Sequence, residues 1–281
     1  MGFGTYKLQG NACFSATQAA INAGYRHIDT AMVYDNEAAV GRAIAASGSD
    51  RADLFLTSKV KGYPDYLTES GCKSAVRDSF ERLGSAPIDL LLVHWWNPQS
   101  DMAETFSALN DLRDDGYIRH IGVSNFSPSQ LREAIAASDS PILTNQIEYH
   151  PYRNRNELLR VCHEEGVLVT AYSPLAAGAL VDDPLLTSIG DHHGKSAPQI
   201  AIRWLIQQEG VLTIPKASSA EHIQENAAVF DFNLSPDEMQ RIRDLRGPLA
   251  YRLTADDGAI TKARHRLGGI IPAPIRRSVP F

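Results

Sequence analysis

The chain has few cysteines, and their spacing excludes two classes of site. Only three of its 281 residues are cysteine, Cys13, Cys72 and Cys162, and no two of them form a Cys-x-x-Cys pair. Isolated thiols argue against a disulfide framework and against a metal site built from thiolates. They are typical of proteins from a reducing compartment, so we expect a cytoplasmic location.

Long apolar runs and strong net charge are also missing. No stretch approaches the roughly 18 apolar residues of a membrane span, and the residues from Met1 to Tyr6 have neither the basic flank nor the apolar core of a signal peptide. The formal net charge is only −6, from 27 basic and 33 acidic residues. This mild acidity gives no reason to expect a nucleic acid or a membrane as partner.

The sequence does contain a repeated alternation of short apolar runs with helical patterns. Several runs are almost continuously apolar, as strands buried on both faces are. The eight predicted strands cover residues 2–6, 25–29, 53–60, 88–94, 118–124, 142–147, 167–172 and 211–215. Strand and helix alternating eight times predict an α/β fold of the (β/α)8 barrel (TIM barrel) type, which often reaches this length as a single domain.

An open, doubly wound sheet is the alternative fold. Against it, no Gly-x-Gly-x-x-Gly follows the first strand, and the alternation continues beyond six strands. No linker or charge block divides the chain. We therefore expect one domain over residues 1–281, in which residues 245–281, rich in Gly, Pro and Arg, form an irregular tail over one end of the barrel.

Several helix starts are marked by capping pairs, in which a short polar residue and an acidic or amide side chain three positions later satisfy backbone N–H groups. The pairs are Asp101 with Glu104, Ser127 with Gln130, Ser218 with Glu221, and Ser235 with Glu238. We expect a helix to begin at each of them.

Polar side chains close nearly every predicted strand. The closing residues are Asp29, Lys59, His94, Ser124 with Asn125, Gln146, Tyr172, and Pro215 with Lys216. Because the chemistry of a barrel lies at the carboxyl ends of its strands, we expect a site there. Lys59 follows a strand body that should be buried, and its charge needs a partner. Asp29, which closes the neighbouring strand, is the natural one.

Each of these residues also has an ordinary structural explanation when it is taken alone. Asp29 would cap a turn, Lys59 would extend to solvent, and His94 would be a hydrogen-bonded core histidine. Tyr34, in the loop after Asp29, would pack against its neighbours. The coincidence of these residue types at successive strand ends is what favours a functional site.

Several segments carry a family resemblance. In order, they are Arg26-His27-Ile28-Asp29-Thr30-Ala31, Tyr34-Asp35-Asn36-Glu37, Leu91-Leu92-Val93-His94-Trp95, Ile121-Gly122-Val123-Ser124-Asn125-Phe126, Asn145-Gln146, Ala171-Tyr172-Ser173-Pro174-Leu175, and Ile214-Pro215-Lys216 through Glu225-Asn226. With these motifs the chain resembles the aldo-keto reductases from about Gly2 to Leu245. The nearest branch is the bacterial one that includes the 2,5-diketo-gluconate reductases.

The resemblance implies NADPH-dependent reduction of aldehydes or ketones, with Asp29, Tyr34, Lys59 and His94 as the catalytic residues. The chemistry agrees, because a carbonyl that accepts a hydride becomes an alkoxide that must be protonated. Tyrosine has a pKa near 10, and a nearby ammonium is expected to lower it, so Tyr34 would be the general acid tuned by Lys59. A neutral His94 would donate a hydrogen bond to the carbonyl and orient it.

The same resemblance implies where NADPH and the substrate bind. Ser124, Asn125 and Gln146 would hold the carboxamide of the nicotinamide, and Tyr172 would stack on its ring; a core aromatic is the alternative for Tyr172. The other implied cofactor residues are Gly4, Thr5, Asp29, Ser173, Leu175, Lys216, Ser218, His222, Glu225 and Asn226. The substrate pocket would be lined by Tyr6, Trp95 and Phe126, whereas Trp96 should point elsewhere.

The residues implied to bind the adenosine half of NADPH depart from the family pattern. Lys216 is kept, but Ala217 replaces a hydroxyl-bearing residue, and His222 stands where the family has an arginine for the 2′-phosphate. Ser218 still precedes the next helix, whose free N–H groups favour an anion. Because imidazole is mostly neutral at pH 7 and donates singly, we expect NADPH with weaker discrimination against NADH.

The two ends of the chain depart as well. We expect the hairpin that usually plugs the bottom of these barrels to be absent or truncated, because the sequence opens directly on residues 2–6. The tail beyond residue 250 is basic, with Arg252, Lys262, Arg264, Arg266, Arg276 and Arg277 against Asp256 and Asp257. An arginine there would select an acidic substrate, or the tail is simply solvated.

Two other functions fit parts of the sequence. His27 and Asp29 form a His-x-Asp pair, and His192 and His193 add further ligands, as in a metal-dependent barrel hydrolase, but no cluster completes a site, so we expect no metal. A nucleotide-binding barrel without catalysis would not need Tyr34 and Lys59 together. The expected partner is a small carbonyl compound, and the family favours a monomer.

Overall fold

Eight parallel strands, each paired with the next in chain order, form the centre of the computed structural model, which describes residues 1–84 and 87–248. The strands are β1 (Phe3–Gly4), β2 (His27–Asp29), β3 (Phe55–Val60), β4 (Ile88–Val93), β5 (Ile118–Ser124), β6 (Ile142–Glu148), β7 (Leu168–Tyr172) and β8 (Val211–Thr213). The Gly2 N–H donates to Thr213 O at 2.8 Å, and the Gly4 N–H donates to Pro215 O at 3.1 Å. These bonds join β1 to the end of β8, so the barrel prediction is confirmed and the open sheet is wrong.

Helices follow the strands and pack outside the barrel. In the described residues the α-helices are α1 (Gly10–Asn22), α2 (Glu37–Ala45), α3 (Pro64–Leu67), α4 (Glu69–Leu83), α5 (Met102–Asp114), α6 (Pro128–Ala137), α7 (Asn156–Glu164), α8 (Pro184–His193), α9 (Ala197–Ile206), α10 (Ala220–Ala227) and α11 (Pro236–Arg243). Short 3₁₀ turns lie at Met32–Tyr34, Arg51–Asp53 and Ala176–Gly178. None of these helices is long and apolar enough to cross a membrane.

The sequence locates the strands better than the helix caps. Every predicted strand is present, although the first contains only two of its five predicted residues because the chain turns at Thr5. The capping pairs of α6 and α11 are confirmed. At α5 only Asp101 caps the helix, because the Glu104 carboxylate accepts from the Glu69 N–H instead. The cap of α10 is Ser219 and not Ser218.

Most strand residues are buried, as their apolar sequences predict, although Arg119 and His120 of β5 are exposed. Every residue of β4 is buried, and one continuous apolar core joins the barrel to its helices. Near the amino ends of the strands the His27 ring packs edge-on against Phe55, which stacks on His120. In the described residues no hairpin precedes β1. The predicted tail lies mostly in residues 249–281, outside the described residues, as do the basic residues from Arg252 onward and Asp256 and Asp257.

The contact between α2 and α4 depends on a glycine. A Cβ added to Gly41 would lie 2.0 Å from the Leu83 carbonyl oxygen, which is backbone at the end of α4 and cannot swing aside. We expect Gly41→Ala to destabilise the protein by about 1–3 kcal/mol, since overpacking outweighs the gain of about 1 kcal/mol in helix propensity.

Urea unfolding checks this prediction. Ala38→Gly, an exposed position of the same helix, measures the propensity effect alone. A Gly41→Ala variant as stable as the wild type, or more stable, would contradict the tight contact.

Candidate active site

A cavity of about 680 Å³ opens at the carboxyl ends of the strands. This is the size of pocket that holds a small organic molecule or part of a cofactor. Its walls combine aromatic and apolar surface with a few polar groups. The lining residues are Gly4, Tyr6, Lys7, Asp29, Val33, Tyr34, His94, Trp95, Ser124, Asn125, Gln146, Tyr172, Ser173, Pro174, Leu175, Ala177, Gly178, Ile214 and Lys216.

An ion pair between Asp29 and Lys59 lies beneath this cavity. β2 and β3 pair side by side, which brings the two strand ends together. Lys59 Nζ lies 2.6 Å from Asp29 Oδ1 and donates a second hydrogen bond to Thr30 O at 2.7 Å. Lys59 is 0% exposed and Asp29 1% exposed. Burial lowers the pKa of Lys59, and the Asp29 carboxylate opposes that shift. The partnership expected from the strand order is present.

Tyr34 ends the 3₁₀ turn that follows β2, and its hydroxyl faces the ion pair. Lys59 Nζ lies 3.4 Å from the Tyr34 hydroxyl oxygen. The Tyr34 ring packs against Tyr6, with ring centroids 5.0 Å apart, and meets His94 edge-on at 5.7 Å. The four side chains implied as catalytic therefore lie together, with Lys59 behind the cavity wall and the other three on it.

The net pKa of Tyr34 is not lowered in this arrangement, contrary to the expectation. Burial raises the pKa of the phenol well above its ordinary value, and the Asp29 carboxylate raises it further. The physical reason is that burial of the phenol, together with the Asp29 carboxylate, outweighs the attraction of the Lys59 ammonium at 3.4 Å. Tyr34 is consequently protonated at neutral pH.

His94 is neutral in this environment. Burial lowers the pKa of its ring well below the usual value, and the Lys59 ammonium adds to that shift. The Nδ1 atom is buried and has no hydrogen-bond partner among the described residues. A neutral imidazole has one N–H to donate, as the sequence-based role requires.

The strand ends opposite the ion pair are joined by a polar network. Ser124 Oγ donates to Gln146 O at 2.9 Å, and Asn125 Nδ2 donates to Ser124 Oγ and to His94 O, both at 3.1 Å. The Tyr172 hydroxyl donates to Asn125 Oδ1 at 2.9 Å. Gln146 Nε2 donates to Asp29 Oδ2 at 2.7 Å, which links this network to the ion pair.

The loop after β7 forms one wall of the cavity in an unusual backbone conformation. Ser173, Ala176 and Ala177 all have positive φ, between 49° and 54°. Side chains other than glycine rarely adopt this region, so the loop stores conformational strain. Ser173 and Leu175, both implied as cofactor residues, line the cavity here.

The residues implied at the adenosine end are not part of the cavity, except Lys216. Ser218 and His222 are exposed near the start of α10, where Ser219 caps the helix by accepting from the His222 N–H. Glu225 accepts from Ser196 Oγ at 2.6 Å. Asn226 is buried. Three of these residues belong to α10, and Ser218 lies just ahead of its N-cap.

Thr5 and Phe126 do not lie where the resemblance implies. Thr5 lies beneath the cavity and not on its wall, because its N–H and hydroxyl both donate to Asp29 O. Phe126 does not line the cavity, contrary to prediction. It is 1% exposed and packs on Trp96 in the core. Tyr6 and Trp95 do line the cavity as expected.

Sequence reasoning missed several residues of this region. Lys7, Val33, Ala177 and Gly178 line the cavity, and all belong to loops that follow barrel strands. The rule that such loops form the site could have found them. Glu37 belongs to one of the family motifs, which implies no role for it. It is a buried carboxylate that accepts from Ser58, Ser79 and Arg82 directly behind the site.

A metal centre does not fit these residues. In residues 1–84 and 87–248 no three His, Cys, Asp or Glu side chains come together as a ligand set. His27 begins β2 whereas Asp29 ends it, and each is engaged elsewhere, His27 with Thr57 and Asp29 with Lys59. The His-x-Asp pair is therefore not a metal site.

Comparisons with known proteins agree with one another. The family model described as the Aldo/keto reductase family matches residues 1–246. A glyoxal reductase from Bacillus subtilis (strain 168) is 42% identical over 247 residues, which are 86% of each chain. Among solved structures, a protein described as a 2,5-diketo-D-gluconic acid reductase B is 44% identical, covers 88% of each chain and superposes with a TM-score of 0.85. An aldo-keto reductase from Bombyx mori in complex with NADP is 33% identical, with a TM-score of 0.79 over 86% of this chain and 87% of its own.

His27 gives the barrel an acid-sensitive element. Burial lowers its pKa from about 6.5 to about 4, so the folded state keeps the ring neutral while the unfolded chain takes up a proton. Stability is then lost as the pH falls from about 6.5 towards about 4, by at most about 3 kcal/mol. We expect His27→Gln to have a flatter dependence of the unfolding free energy on pH over this window.

Urea unfolding between pH 7 and pH 4.5 measures the slope. His163→Gln, at an exposed histidine of α7, is the matched control and should keep the wild-type slope. Identical slopes for wild type and His27→Gln would show that the ring is not buried neutral.

Proposed function

The chain belongs to the aldo/keto reductase family, an oxidoreductase family that acts on carbonyl groups, and on this premise we propose that it reduces small carbonyl compounds with NADPH and with Tyr34 as the general acid. The observation that carries the proposal is the buried Lys59–Asp29 pair beside the Tyr34 hydroxyl, at the floor of a cavity that His94 also lines.

The residues present fit a nicotinamide. Ser124 and Asn125 offer hydrogen-bonding groups at one side of the cavity, and the Tyr172 ring borders the same space. A neutral carboxamide is bound by such donors and acceptors, and an aromatic ring holds a planar heterocycle by stacking. When bound, the nicotinamide supplies the hydride. Gln146 is held by Asp29, so it joins the carboxamide subsite to the ion pair.

In the proposed reaction Tyr34 protonates the alkoxide that forms from the carbonyl. Its raised pKa is compatible with this role, because the phenol must carry its proton when the substrate arrives. After the transfer the phenolate lies 3.4 Å from the Lys59 ammonium, which stabilises the new charge. His94, neutral and edge-on to Tyr34, donates a hydrogen bond that orients the carbonyl oxygen.

The substrate class that we propose comprises aldehydes, α-dicarbonyls and keto-sugars. The mouth of the cavity carries aromatic surface from Tyr6, which is 56% exposed, and from Trp95. The relatives point the same way, since two of them are described as reductases of glyoxal and of a diketo sugar acid, both of which are dicarbonyls.

Removal of the phenol hydroxyl tests the proposal. We expect Tyr34→Phe to lower kcat for a generic aldehyde by about 10²–10⁴-fold, because the proton donor is gone. NADPH oxidation at 340 nm gives the rate, and quenching of tryptophan fluorescence gives the Kd for NADPH, which should stay the same. Tyr66→Phe, whose hydroxyl contacts Lys61 outside the cavity, is the control. Retained reduction by Tyr34→Phe would remove the phenol from its role.

The adenosine end makes a second test. We propose that His222, exposed in the first turn of α10, grips the 2′-phosphate of NADPH weakly, so the ratio of kcat/KM for NADPH over NADH is modest. His222→Arg should raise the ratio, because a guanidinium is always charged and binds a phosphate with two donors.

The matched control is His192→Arg, which adds the same charge at an exposed position of α8. It should leave the ratio as it is. A wild-type preference for NADPH above about a thousandfold, or about 4 kcal/mol, would reject the weak grip.

A further inference from the structure

The side chain of Asn36 ties two loops of the site together. Its Oδ1 accepts from Thr30 Oγ1 at 2.7 Å, and its Nδ2 donates to the carbonyl oxygens of Thr5 and Leu8, both at 2.9 Å. Asn36 is 2% exposed. Loss of these bonds would leave several polar groups buried without partners.

Asn36 does not perform the usual task of its position. It is the N-cap residue of α2, where an asparagine side chain ordinarily accepts from the first N–H groups of the helix. Here the side chain makes no such bond. It instead reaches across to the loop after β1 and back to Thr30 at the end of β2, so a helix cap does not explain it.

Each hydrogen-bond partner of Asn36 is directly connected to a residue of the site. Thr30 presents its backbone oxygen to Lys59 Nζ at 2.7 Å. Thr5 donates from both its N–H and its hydroxyl to the backbone oxygen of Asp29, at 3.0 Å each. Leu8 follows directly after two residues that line the cavity. The amide is therefore a common anchor for the backbone that carries the ion pair.

A short backbone segment connects Tyr34 to Asn36. Only Asp35 separates Tyr34 from Asn36, and it adopts a left-handed conformation with φ of 56°. The Tyr34 carbonyl oxygen accepts from Gln9 Nε2 at 2.7 Å, which connects this segment to the end of the loop after β1. A shift of Asn36 would thus move the phenol relative to the ammonium.

We propose that Asn36 is a positioning residue for carbonyl reduction, which sets the distance between the Tyr34 hydroxyl and Lys59 Nζ through Thr30. This inference rests on the proposed role of Tyr34. Asn36 itself does not line the cavity, so its role is exerted through Thr30. Its effect is on the geometry of proton transfer and on the stabilisation of the phenolate.

Two variants test the inference from both ends of one hydrogen bond. Asn36→Ala removes the anchor. Thr30→Val removes only the hydroxyl that donates to Asn36 and leaves the backbone oxygen for Lys59. We expect each to lower kcat for a generic aldehyde by about ten- to a hundredfold, with KM and the fluorescence Kd for NADPH unchanged. The double variant should lose less than the product of the two effects, since both break the same contact.

A pH profile separates positioning from general destabilisation. If the ammonium no longer lies beside the phenol, the phenolate is less stable, and the alkaline limb of kcat should move to higher pH in Asn36→Ala. Asn110→Ala is the matched control, because Asn110 is a buried asparagine of α5 that accepts from Ser140, and neither residue lines the cavity. It should lower Tm but keep the wild-type kcat and pH profile.

The outcomes distinguish this inference from the proposed function. If Tyr34→Phe retains activity, the proposed function fails. If Tyr34→Phe is inactive while Thr30→Val keeps the wild-type kcat and pH profile, the positioning role of Asn36 alone is overturned. Should Asn36→Ala not fold, Thr30→Val carries the decision. Equal losses of kcat in Asn36→Ala and Asn110→Ala would also overturn it.

Discussion

A positive charge with no access to water governs the carboxyl end of this barrel. An isolated ammonium in such a place would lose its hydration without any compensating interaction. Burial does lower the pKa of Lys59. Asp29 at 2.6 Å and the Thr30 carbonyl at 2.7 Å compensate the charge. Removal of either charged partner would leave the other buried alone, which typically costs about 3–5 kcal/mol. The surrounding hydrogen bonds hold this pair in position.

Those hydrogen bonds reach most strands that border the cavity. Gln146 occupies the second oxygen of Asp29, and Ser124 and Asn125 connect Gln146 to Tyr172 and His94. The pocket is consequently a set of mutually fixed polar groups facing aromatic walls. Such preorganised groups stabilise a developing charge without rearranging when it forms, which is the largest contribution that a protein makes to many reactions.

The sequence predicts the barrel and the pairing of Asp29 with Lys59 because both follow from rules of adjacency. Parallel strands end at one edge, and a charge that closes a buried strand needs a partner on the next. It does not predict the direction of the Tyr34 pKa, since that depends on how deeply the phenol is buried beside Asp29. The resemblance places Phe126 in the pocket, but the chain turns at Asn125, with φ of 62°, and the ring is buried in the core. Asn36 resembles a helix cap in sequence, and only three-dimensional contacts show its partners.

The residues with positive φ in the loop after β7 lower the stability of the protein but fix the shape of the cavity wall. Ser173, Ala176 and Ala177 each hold a conformation that glycine would adopt at little cost. Laboratory selection for heat resistance should therefore accumulate glycines in this loop, because each would relieve local strain. The same replacements would loosen a wall of the cavity, so variants selected for heat resistance alone would tend to sacrifice discrimination among ligands.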